Sequence, residues 1–179
     1  YTRQGEGATI FLLHGLGSCK ADWQPQVKAL ADHYQVIAPD LRGHGNSDKP
    51  TGGYSIPQFA ADILGLMDAM GCQQAHMIGL SLGGMITLEF ATRYPQRLLS
   101  VTIINSTAAV PMDNWQIRRF FWMRLLMIRL FGPAFLGKKI AQHNFPAPKQ
   151  AELRQQAEKQ FGSNNRTAYY RSTKALMGW

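Results

Sequence analysis

Apolar residues along this chain follow two patterns. Short continuous runs, bounded by glycine or polar loops, alternate with stretches where apolar positions recur every three or four residues. The runs predict buried strands over Ala8–Leu13, Tyr34–Ala38, Ala75–Gly79 and Leu99–Ile104. The periodic stretches predict helices over Asp22–Asp32, from Ser55 or Ile56 to Met70 with Pro57 in the first turn, and over Leu82–Tyr94, stopped by Pro95. Strands that are apolar throughout and alternate with helices call for a parallel sheet covered on both faces, with right-handed crossovers. The expected fold class is therefore α/β. After Pro111 the pattern is helical only. Asn114–Phe131 is apolar almost all round, with Arg118, Arg119, Arg124 and Arg129 scattered over it, which reads as a buried helix. Gly132-Pro133 breaks it, and further helices are expected near 134–143, 149–161 and 165–177.

Composition sharpens this division. The chain has 179 residues, 45% of them hydrophobic, enough for a globular domain with a real core. Residues 1–110 carry 7 Lys+Arg against 8 Asp+Glu, whereas 111–179 carry 12 against 3. The net charge of +8 thus sits in the second part, and two regions are expected, 1–110 and 111–179. A basic segment can meet nucleic acid, anionic lipid or an acidic substrate, but a solvated basic surface is the plainer reading. No nucleic-acid motif accompanies it, so no nucleic-acid partner is expected. No apolar run makes a clear transmembrane span, so no membrane insertion is expected either. Cys19 and Cys72 show neither metal spacing nor a disulfide framework, and reduced thiols and a cytoplasmic location are the expectation. Neither a metal-ligand cluster nor a dinucleotide fingerprint is present, so no cofactor is expected.

The chemistry-bearing stretch is Gly79-Leu80-Ser81-Leu82-Gly83, between a predicted strand and a predicted helix. A serine on a tight strand-to-helix turn occupies strained backbone, crowded by its neighbours. Glycines two residues before and after remove the Cβ atoms that would clash. The turn also aims a helix N-terminus, with its free N–H groups, at the hydroxyl. Two more loops follow strand ends: His14-Gly15-Leu16-Gly17 and Asp40-Leu41-Arg42-Gly43-His44-Gly45-Asn46-Ser47. In a parallel sheet all three should meet on one edge, where ligands bind.

Taken together, Leu12-Leu13-His14-Gly15, Asp40-Leu41-Arg42-Gly43-His44-Gly45-Asn46-Ser47 and Gly79-Leu80-Ser81-Leu82-Gly83-Gly84 resemble the α/β-hydrolase superfamily, specifically its small esterase, lactonase and C–C bond hydrolase branch. The resemblance covers residues 5–110 well, and 111–179 only loosely, as the helical lid that follows the fourth of these strands. It implies Ser81 as nucleophile and the backbone N–H groups of Leu16 and Leu82 as an oxyanion hole. It implies a serine hydrolase acting on a small ester, lactone, thioester or activated C–C bond through an acyl-enzyme. A carboxylate nucleophile, as epoxide hydrolases and haloalkane dehalogenases of this fold use, is absent at position 81. His14 is expected to orient the oxyanion loop, His44 to play a structural role, and Asp40 and Arg42 to pin their loop to the sheet. His76 is expected to be a satisfied strand histidine. Trp115 and Trp122, with Phe121 and Met123, either line a substrate pocket or merely pack the lid.

The chain departs from the family pattern in one respect. The family orders its triad Ser, acid, His, and the only histidine after Ser81 is His143, inside the helical region. The acids after Ser81 are Glu89, Asp113, Glu152 and Glu158, none at a predicted strand end. The expectation is that the acid and histidine lie beyond Trp179 and that the chain is a fragment of a longer hydrolase. Such a piece would expose a strand edge and apolar surface, tend to aggregate or form a homodimer, and be nearly inactive alone. Two readings compete: a non-catalytic relative that binds a ligand or partner through its lid, and a membrane-surface or anion-binding role for the basic helices, against which stands the scatter of arginines, since an interfacial helix would segregate them.

Overall fold

The computed structural model describes all residues from Tyr1 to Trp179. Its centre is a five-stranded sheet built from β1 (Thr2–Gln4), β2 (Thr9–Leu13), β3 (Gln35–Ala38), β4 (Ala75–Leu80) and β5 (Leu98–Ile104), in the order β1-β3-β2-β4-β5. The four expected strands pair in parallel; β1, too short and polar to show as a run, adds to β3 antiparallel. The register places Leu13 beside Gly79 and Leu80 beside Ile104. The carboxyl ends of β2, β4 and β5 are therefore level, and the loops that leave them share one edge.

Helices α1 (Gln24–Leu30), α2 (Ile56–Ala69) and α3 (Leu82–Arg93) cover the sheet. Ser55 caps α2 by accepting from the Gln58 N–H at 3.2 Å, and Pro57 sits in the first turn, where no intrahelical N–H is needed. The larger core lies between the sheet and α2 and α3, around Phe11, Phe59, Met77, Ile86 and Phe90; a smaller one, around Trp23 and Val36, lies on the α1 side. Edge strand β5 is different. Leu99, Val101 and Ile104 remain between 39% and 48% exposed. This apolar edge has no covering element within residues 1–179.

Helices α4 (Trp115–Asn144), α5 (Ala151–Gly162) and α6 (Arg166–Leu176) make up the second part. Helix α4 is two limbs joined at Gly132, whose φ of 78° and ψ of 177° break the helix just before Pro133. This second part packs into the first. Ala175 and Leu176 of α6 belong to the main core, and the Val110 N–H donates to the Trp179 carbonyl at 3.2 Å. The buried helix expected over Asn114–Phe131 is not found. Only Leu125 and Ile128 are buried there, because one narrow stripe, continued by Ile117 and Phe121, faces the protein. The rest of this limb's apolar surface faces outward.

Candidate active site

Ser81 stands between β4 and α3 with φ 52° and ψ −112°, a conformation that glycine adopts freely and L side chains avoid. Three hydrogen bonds hold it there. The Ser81 N–H donates to the Ile104 carbonyl at 3.0 Å, and the Ser81 carbonyl accepts from the Met85 N–H at 3.1 Å and the Ser106 hydroxyl at 2.7 Å. The flanking glycines are sterically required. A Cβ on Gly79 would lie 2.2 Å from the Gly83 carbonyl oxygen, and one on Gly83 would lie 2.1 Å from that of Leu13. Both obstacles are backbone atoms, so neither can swing aside.

The two expected oxyanion donors flank this serine. Leu82 opens α3, so its N–H has no intrahelical acceptor. Leu16 follows Gly15, which sits so close that a Cβ there would be 3.5 Å from the Ser81 Cβ. The Leu16 loop is pinned from below by His14, which is fully buried. Its Nδ1 lies 2.8 Å from the Gly15 carbonyl, while its Nε2 accepts from the Leu41 N–H at 3.0 Å. That pairing fixes the tautomer with the proton on Nδ1 and ties the β2 loop to the β3 loop. Burial lowers the His14 pKa to about 4, against the opposing pull of the Gly15 carbonyl and Asp40. His14 is thus a neutral strut.

Behind it, His44 meets His14 edge to face at 5.2 Å and reaches the Arg42 carbonyl through Nδ1 at 2.9 Å. Burial, and then the neighbouring His14, lower its pKa to about 3. Asp40 accepts from the backbone N–H groups of Lys20 at 2.8 Å and Asn46 at 3.0 Å, and pairs with the Lys20 ammonium. Burial pushes its carboxyl up, and these hydrogen bonds outweigh burial to hold it below its ordinary value. Arg42 reaches Asp62 on α2 through Nε at 2.6 Å, so it pins the loop to a helix and not to the sheet. His76 is satisfied by the Ser100 hydroxyl at 2.8 Å.

A cavity of about 720 Å³ opens over Ser81, walled by Gly15, Leu16 and Asn105 from the sheet edge and by Asn144, Phe145 and Phe161 from the helices above. Trp115 and Trp122 do not line it. They are 59% and 56% exposed on the outer face of α4, opposite the stripe that packs inward. Phe121 packs against the main core, and Met123 lines a separate groove within the lid. His143 also lines that groove and not the Ser81 cavity. Sequence reasoning missed Ser106 and the left-handed Asn105, with φ 51°, which follow β5. Their signal was available: polar residues just past a strand that ends level with Ser81. It also missed Phe145 and Phe161, which only the lid's folding brings to the cavity.

Comparison with known proteins agrees with this architecture. The model of the alpha/beta hydrolase fold family matches residues 8–172. The chain belongs to that family. A putative carbamate hydrolase RutD of Azorhizobium caulinodans is 38% identical over 133 residues, 74% of this chain and 49% of that protein. A RutD of Stutzerimonas stutzeri is 36% identical over 79% of this chain and 53% of its own length. Among solved structures, an enol-lactonase from Burkholderia xenovorans superposes with a TM-score of 0.86 at 28% identity, covering 98% of this chain and 68% of that one. The chain spans about half the length of the curated relatives it matches.

Proposed function

We propose that this chain carries the nucleophile and oxyanion site of a serine hydrolase acting on a small ester, lactone, thioester or activated C–C bond. The observation that carries the reading is the backbone of Ser81, held at φ 52° against its own preference, at the mouth of a helix and under a cavity. Such strain is kept where it positions a reacting atom. In the proposed reaction the Ser81 oxygen attacks the substrate's carbonyl carbon while its proton passes to a base. The N–H groups of Leu16 and Leu82 hold the charge that develops on the carbonyl oxygen. Collapse expels the leaving group and leaves an acyl-serine, which water then hydrolyses. Relatives named for carbamate and enol-lactone chemistry support an acyl substrate.

The base is the missing part. None of the five histidines hydrogen-bonds the Ser81 hydroxyl; His14 and His44 are buried with low pKa values, and His143 lines another groove. We assign the base and its acid to residues outside 1–179, so this stretch alone is nearly inactive. Labelling with a fluorophosphonate probe tests this on the 179-residue chain, on the protein as its gene encodes it, and on Ser81→Ala of each. Labelling of the gene-encoded protein alone, lost with Ser81→Ala, is the expected result. Labelling of the short chain that His143→Ala abolishes would move the base to His143. If no form labels, the non-catalytic binding reading replaces this one.

A further inference from the structure

Helix α4 presents a broad apolar face to the outside. Eight large apolar side chains between Trp115 and Phe135 are at least 40% exposed, among them Trp115, Trp122, Leu126 and Leu130 at 55% to 59%. Trp115, Trp122, Leu126 and Leu130 follow helical spacing, so they form one outward stripe on the first limb. A contiguous apolar patch of this kind marks an interaction surface. Its electrostatics restrict the partner. Between Asp113 and Glu152 the chain carries seven Lys+Arg and no acidic residue. Arg118, Arg119 and Arg129 are exposed beside the stripe. The groove between the two limbs, about 640 Å³, repeats the theme: Phe120 and Met123 line it together with Arg119, Lys139 and His143, and no carboxylate does.

We propose that this face of α4 docks on the surface of an anionic lipid bilayer. Tryptophan belongs at the boundary between headgroups and acyl chains, and arginine stems can lie along apolar surface while their heads reach phosphate. Helix α4 is long and strongly apolar. Gly132 breaks that stretch, and Arg118, Arg119, Arg124 and Arg129 punctuate the first limb, so the helix suits the surface of a bilayer and not its interior. Arg118, Arg119 and Arg129 interleave with this apolar stripe, so the contact rests on the outer face of the first limb, where arginine heads and tryptophan rings lie side by side. A protein partner for so cationic a face would need a matching acidic surface, and a second copy would bring arginine against arginine. The inference does not depend on the role of Ser81.

The test uses the protein as its gene encodes it, with vesicles of phosphatidylcholine alone or mixed with phosphatidylglycerol. Co-sedimentation is expected with the anionic vesicles only, and raising salt should release it. Brominated acyl chains should quench the fluorescence of Trp115 and Trp122, and Trp115→Phe with Trp122→Phe should remove the quenching. Arg118→Glu with Arg119→Glu and Arg129→Glu should weaken binding at least about tenfold while circular dichroism stays unchanged. Leu126→Asp should do the same. Absent or charge-independent vesicle binding would overturn the proposal. So would a dimer dissociated by Leu126→Asp in place of vesicle binding.

Discussion

Replacing Ser81 by glycine should make the protein more stable, although it removes the proposed nucleophile. Ser81 sits at φ 52° and ψ −112°, where a Cβ costs about 1–3 kcal/mol. Glycine removes that cost but adds about 0.4–1 kcal/mol of chain entropy to the unfolded state. The net gain is therefore roughly 0.5–2 kcal/mol. Ser81→Ala is the control. It keeps the Cβ and its strain, and it deletes only an exposed hydroxyl with no hydrogen bond inside the protein, so it should change stability by less than about 0.5 kcal/mol. Urea unfolding followed by tryptophan fluorescence reads the difference. With a slope of about 2 kcal/mol per molar, the glycine midpoint should exceed the alanine midpoint by roughly 0.3–1 M. Neither variant should take a fluorophosphonate label. A glycine midpoint at or below that of alanine would mean that the backbone at 81 carries no strain.

Two further predictions use the same unfolding assay. Gly83→Ala should cost about 3 kcal/mol or more, because its Cβ meets the Leu13 carbonyl at 2.1 Å, whereas Gly65→Ala on the open face of α2 should stabilise by up to about 1 kcal/mol; equal effects would refute the close approach. Stability should also fall as pH drops from about 6.5 towards 4. His14 and His44 stay neutral when folded, with pKa values near 4 and 3, but protonate near 6.5 when unfolded, so the unfolded state binds more protons across that window. Each should contribute a loss of roughly 2 kcal/mol between pH 6.5 and 5, His44→Asn should halve it, and an unchanged urea midpoint would refute it.

The sheet, its helices and the three loops at its edge were legible because each has a local cause. Buried parallel strands must be apolar throughout, and a serine elbow needs its glycines at fixed offsets. The short antiparallel β1 was not legible, since Thr2–Gln4 owes its strand state to its partner β3 and not to its own pattern. The lid was misread for a similar reason. Apolar residues all round Asn114–Phe131 suggested burial, but a helix can bury only the faces that find neighbours, and here one stripe did. Trp115 and Trp122 went to the opposite face. The residues that do close the cavity, Phe145 and Phe161, lie at the end of α4 and in α5, and no spacing rule connects either to Ser81.

The helical part and the loop that carries Leu16 meet at Gly17. A Cβ at Gly17 would lie 2.7 Å from both the Phe161 and Tyr169 rings, so α5 and α6 press directly on the loop that carries Leu16. The Asn164 side-chain amide donates to the Gly17 carbonyl at 2.8 Å, and Tyr169 is itself held by Arg124 of α4. Below the loop, His14 holds Gly15 and Leu41. The proposed Leu16 donor is therefore clamped between a buried histidine and two lid helices. Lifting α5 or α6 would release one side of that clamp and let the donor drift, and drift of an oxyanion donor costs rate steeply.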